Sequence, residues 1–252
     1  MEIVSGRTGK PHVTSQQFRQ IIEGIISDES CILPSGENLE PELVSNNSLK
    51  IRSGMMCHHG NVSSVKIGTY DEVELTNGSQ GMKRIDLIVN RYTRNEEDNT
   101  EKNEWVVIMG TPAESNPVVP EYTQGNLQKG DLVDDCPVFE VHFDGINITE
   151  VTKMLEIAQT NKELAAKLPV YGTTPIIETR ANSYKDTSVK FGKTFSKAPV
   201  VVISLSGGSQ NTKSFGVQVL STTTSSCVIR TVNGNSSSVS IMVNWCALPK
   251  GA

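Results

Sequence analysis

Cys57-His58-His59 is the densest group of metal-ligating side chains in the sequence. Thiolate and imidazole both suit transition metals, but a site needs several such ligands converging on one point. In a strand, neighbouring side chains point to opposite faces, so Cys57 and His59 share a side that His58 does not. Cys136 and His142 are the ligands of similar kind elsewhere in the chain, and no spacing brings them to this run. On these grounds the sequence assigns no metal and no cofactor.

Paired carboxylates are the other chemistry on offer, at Glu96-Glu97 and Asp134-Asp135. General acid catalysis requires one member of such a pair to be desolvated. Both pairs lie in polar, turn-forming sequence, which predicts solvated surface. Neither a Gly-x-Ser-x-Gly elbow nor a phosphate-cradling glycine loop is present, and Ser209 within GGSQ has the setting of a turn serine. With no residue set for catalysis, the expectation is a protein that is not an enzyme.

The elements that would carry these residues are mostly strands. Thr14 and Gln17 form the pattern of a capping box, and Phe18, Ile21, Ile22 and Ile25 follow at helical spacing, which predicts a short amphipathic helix over 14–27 covering one side of a sheet. Short apolar or alternating runs then predict strands at 49–51, 62–67, 72–75, 84–92, 104–109 and 138–143. The polar run RNEEDNTEK predicts a hairpin tip, and Pro112, Pro117 and Pro120 an extended connection. After Pro169 and a loop at 171–175, strands are predicted at 188–191, 200–205, 215–220, 227–232 and 239–247, with Val239, Ile241, Val243 and Trp245 facing one way. The fold class is therefore mainly β: an N-terminal antiparallel β-domain with one helix (1–145), a short coiled-coil-like neck helix (146–170) and a C-terminal antiparallel β-sandwich (171–252).

The neck is predicted from TEVTKMLEIAQTNKELAAKL, residues 149–168. Met154, Ile157, Asn161, Leu164 and Leu168 step by three and four, the seam of a helix that needs partner helices. Flanked by strand sequence, the helix would find those partners in other copies of the chain, with Asn161 fixing register. The same apolar face would also suit packing within one domain.

The bulk composition narrows the partners. A net charge of -5 argues against a surface built on phosphate contacts, so nucleic acid is not expected. No apolar run is long enough for membrane insertion and no signal peptide is apparent. The five cysteines, without a CxxC pair, have the pattern of buried apolar residues in a chain made in a reducing cytoplasm.

The motifs SLKIRSGMMCHHGNV, GMKRIDLIVNRYTR, WVVIMGTPAESNPVVP and FEVHFDGINITEVT resemble, in that order, the N-terminal region of tail-tip (baseplate) receptor-binding and tail-fibre proteins of phages and prophages. The carrying residues are Arg84-Ile85-Asp86, Gly110-Thr111-Pro112 and the strand at 138–143. The C-terminal segment resembles H-type lectins, with Phe191, Phe195, Pro199 and Trp245 at framework positions. These resemblances imply a virion structural protein of the phage tail, a homotrimer that docks to other tail or baseplate proteins and binds a receptor, host cell-surface carbohydrate, through the sandwich. At and beside the positions of the family's sugar contacts this chain has Asn211, Lys213, Asn233 and Asn235, which can hydrogen-bond hydroxyls but lack an aromatic face. The four also suit turns of a domain used only for trimerisation or shape. A free bacterial lectin, or a glycan-processing enzyme with an accessory sandwich, is the alternative.

Overall fold

A computed structural model describes Val4 and residues 13–208 and 214–250. The chain divides into two compact units, Met1–Ala158 and Gln159–Ala252.

In the N-terminal unit the helix α1 (Ser15–Ile25) starts where the Thr14 hydroxyl accepts from the Gln17 N–H and the Gln17 side chain accepts from the Thr14 N–H, the capping box expected. Two antiparallel sheets follow. In the first, the long strand β3 (Ser48–His58) pairs with β4 (Asn61–Glu74) on one edge and with β1 (Cys31–Leu33) and β2 (Pro41–Ser45) along the other. The second is ordered β6 (Glu101–Ile108), β5 (Lys83–Arg94), β7 (Val133–Asp144), β8 (Asn147–Lys153). One apolar core, including Leu49, Ile51 and Met56 from the first sheet and Ile88, Phe139 and Val141 from the second, lies between them. Trp105 tilts against Phe139 and donates its indole N–H to Asp71. The tip of the β5–β6 hairpin is exposed, as the polar run predicts.

Two expectations for this unit need correction. The apolar stripe of α1 does not cover a sheet: Phe18, Ile21 and Ile25 are exposed, and the buried residue is Arg19. Its guanidinium lies over the Tyr92 ring and pairs with Glu101 at 3.2 Å, while the helix backbone sits so close to the β3–β4 turn that a Cβ on Gly60 would stand 2.3 Å from the Arg19 carbonyl. The continuous neck helix is also absent. Residues 147–153 are the edge strand β8, because β-branched Ile148, Thr149, Val151 and Thr152 can complete β7's hydrogen bonding and bring Val151 against the core. Met154 and Ile157 therefore lie outside any helix, and Ile157 makes a parallel bridge to Ile32.

In the C-terminal unit the helix α2 is limited to Asn161–Lys167, with Thr160 and Glu163 as a second capping box and Pro169 just beyond its end. Asn161 is the first helical residue rather than a seam position, and Leu168 is the C-cap. Lys193 closes the end by donating to the carbonyls of Ala165, Ala166 and Leu168. Residues 171–173, expected as loop, belong to the edge strand β9 (Val170–Thr173).

The rest is β-sandwich-like. β15 (Val239–Leu248) is flanked by β12 (Val200–Gly208) on one edge and by β9 and β10 (Ile177–Thr179) on the other. The second sheet is ordered β11 (Ser183–Lys190), β14 (Ser226–Asn233), β13 (Phe215–Thr222). Val239, Ile241 and Val243 are buried and Trp245 packs on Phe191, so the alternation expected for the last strand is observed. Phe191, Phe195 and Pro199 are buried too.

Candidate functional site

The β3–β4 hairpin closes through His59 and Gly60, at φ of 47° and 72°, between the paired residues His58 and Asn61. A two-residue connection with both φ positive has the backbone of the favoured hairpin turn, where Asn-Gly is the usual sequence. His59 is thus a turn residue, and strand alternation does not govern it. The turn swings its ring onto that of His58, with centroids 4.0 Å apart.

Both rings face Asp134. His58 Nε2 lies 2.9 Å and His59 Nδ1 2.8 Å from the same oxygen, Asp134 Oδ2. The other carboxylate oxygen, Oδ1, accepts from the Gly125 N–H at 2.8 Å. On its far side His58 is held through Nδ1, 2.6 Å from the Ser30 hydroxyl. Burial alone would push the Asp134 carboxyl up, but the His58 and His59 rings beside it, with the Gly125 N–H, outweigh it and hold the group well below the usual carboxylate range. The Asp134 hydrogen bond raises the His59 imidazole above its ordinary value, against the effect of burial.

Asp134 and Asp135 are not solvated surface. Each is 1% exposed, at the start of β7, and each is already engaged. Asp135 takes a two-pronged contact from Arg91 at 2.6 and 2.8 Å and the Thr123 N–H at 3.0 Å. Both acids thus pin the connection between β6 and β7, which the sequence suggests is merely extended by its prolines. The misreading has a local cause, since the polar residues around the pair are those the acids hold in place. Glu96 and Glu97, by contrast, are exposed as expected.

Among the described residues, the remaining ligand candidates do not converge with these three side chains. Cys57 and Cys136 are fully buried, and burial pushes their thiols up to about 11 and about 12. His142 pairs with Glu140 at 3.1 Å.

Of the residues at sugar-contact positions, Asn211 and Lys213 lie outside the described residues. Asn233 is buried, and its amide is consumed by the fold: Nδ2 donates to the carbonyls of Thr179, Arg180 and Ser237, and Oδ1 accepts from the backbone and side-chain N–H groups of Asn235. Asn233 is therefore corrected from a sugar contact to the organiser of its turn.

The motif residues of the N-terminal resemblance meet in space. Arg84 pairs with Asp86 through two hydrogen bonds of 2.7 and 2.9 Å, lies over the Phe143 ring and donates to the carbonyls of Thr76 and Asn77. Asp86 also accepts from the Gly110 N–H at 3.0 Å, and a Cβ on Gly110 would stand 2.0 Å from the Ile85 carbonyl.

No family model matches the chain, and no curated protein matches it. What it does must be argued from its own surfaces.

Proposed function

We propose that the chain is a homotrimeric structural and recognition protein of a phage or prophage tail tip, whose N-terminal unit docks to tail or baseplate proteins and whose C-terminal unit presents its loops to host-surface glycans. The observation that carries the self-association is the outer face of the sheet built on β15. Antiparallel register sets Tyr171, Cys246 and Val202 side by side, with Leu248 and Val200 as the next row outward. Tyr171, Val202, Val200 and Leu248 are 82%, 53%, 46% and 39% exposed. Scattered exposed apolar residues are ordinary, but two adjacent rows on one sheet face suit burial against another copy.

The seam residues support association in a changed form. Met154, Ile157, Leu164 and Leu168 are all exposed, in their respective units, although no continuous helix joins them. For docking, the support is the outward apolar stripe of α1, available to a partner because Arg19 occupies the inward side. Recognition by a trimer tolerates weak single sites, since linked sites gain avidity. With Asn233 committed to the fold, a sugar site on this unit would rest on Asn211, Lys213 and Asn235.

Light scattering on the full chain tests the assembly. The expected mass is three chains, and Val202→Asp is expected to give a folded monomer. A wild-type monomer at micromolar concentration would sink the trimer. A glycan array then tests the tip: bound glycans support the lectin-like role, and a blank array removes carbohydrate from the reading.

A further inference from the structure

We propose that His58, His59 and Asp134 form a binding site for a divalent first-row transition metal ion, of the zinc class, within the N-terminal unit. The ligating atoms are His58 Nε2, His59 Nδ1 and Asp134 Oδ2, which lie within 4.8 Å of one another. The inference is independent of the tail-tip reading.

Three observations favour an ion over a closed hydrogen-bond cluster. The first concerns alignment. The His58 side chain is nine-tenths buried, and its Nε2 comes within 2.9 Å of Asp134 Oδ2 yet has no aligned hydrogen-bond partner among the described residues. A buried polar atom left so costs free energy that an ion placed off the N···O line recovers. In a tetrahedral zinc site two ligand atoms about 2.0–2.1 Å from the ion stand about 3.3 Å apart, so the spacings of 2.9 and 2.8 Å to Asp134 Oδ2 need to open by only about half an ångström to admit the ion.

The second is that two of the ligands are oriented from behind and the third by its turn. Ser30 fixes His58 through Nδ1, leaving Nε2 to the site, and the Gly125 N–H fixes Asp134 through Oδ1, leaving Oδ2. Such outer contacts set tautomer and direction in metal sites. His59 is set by the turn itself, in a left-handed conformation that costs an ordinary residue about 1–2 kcal/mol.

The third is a cavity of about 90 Å³ beside His59, lined also by Glu23, Gly125 and Gln128. Both amide atoms of Gln128 are buried without a hydrogen-bond partner among the described residues. Water completing the coordination of an ion would have room there and polar partners. Two imidazoles and one carboxylate with open positions suit a borderline ion such as zinc or cobalt(II) rather than calcium or magnesium.

The chelator-treated full chain would be titrated with zinc chloride by calorimetry and with cobalt(II) chloride by absorption. One ion per chain is expected, with visible cobalt bands of nitrogen and oxygen coordination and no intense near-ultraviolet thiolate band. His59→Asn removes a ligand while placing Asn-Gly, the favoured pair, in the turn. That variant is expected to match or exceed the metal-free wild type in melting temperature, and to lose zinc affinity by at least about a hundredfold. No binding by the wild type, a thiolate band, or a folded His59→Asn protein that binds as well as wild type would each overturn the proposal. The wild-type cobalt spectrum decides the ligand type even if the variant fails to fold.

Discussion

Arg84 and Asp86 stand two apart on β5, on the face where Arg84 meets Phe143 across the sheet. The pair is 4% and 0% exposed, and its hydrogen bonds reach two other segments, at Thr76-Asn77 and at Gly110. Removing one charge would leave the other buried with too few partners. Arg84→Met is expected to destabilise the N-terminal unit by about 3–5 kcal/mol, and Arg84→Met with Asp86→Leu to recover much of the loss, measured by urea unfolding. At this scale the sequence says little about which polar residues are inside. His58 and His59 are adjacent, and a strand reading separates them; only the turn's two positive φ angles bring the rings together. The available signal is His-Gly between two alternating runs, at the place where a hairpin prefers Asn-Gly. Asp134 is contributed from 75 residues further along, and nothing local could announce it.

At the scale of elements, the longer strands of both units and the capping box of α1 are legible, because period-2 burial and cap chemistry are local, whereas the short strands β1, β2, β9 and β10 carry too few residues to show a period. The segment 149–168 is not, because its three-and-four spacing competes with the open edge of β7. Seven residues complete that edge as β8, and the helix forms only from Asn161, where Thr160 supplies a cap. The direction of α1's apolar face likewise depends on Tyr92 and Glu101, far away in sequence. A seam Asn lowers the stability of a coiled coil, so its replacement by Ile would raise it. With Asn161 exposed in the first turn of a seven-residue helix, Asn161→Ile is instead expected to change stability by less than about 0.5 kcal/mol and to leave the oligomeric mass unaltered. A raised melting temperature would restore the seam.

For the whole molecule, the separation between Ala158 and Gln159 gives each unit its own sheets and its own buried cluster. Residues 159–252 expressed alone are expected to fold, with the far-ultraviolet circular dichroism of a β protein and, by the trimer proposal, the mass of three chains. An unfolded fragment would show that the C-terminal unit depends on the rest of the chain. Autonomous units are a consequence of size, since about 90–160 residues are enough for an independent core.

The two tryptophans of the sequence are shared out between those units, Trp105 against Phe139 in one and Trp245 against Phe191 in the other. Their surroundings differ: the Trp105 indole N–H is fixed on the Asp71 carboxylate, whereas Trp245 lies under Gly172, where a Cβ would stand 2.7 Å from the ring. The protein therefore carries a built-in fluorophore for each half, and the spectral difference between them can report which half a denaturant, an ion or a partner has reached.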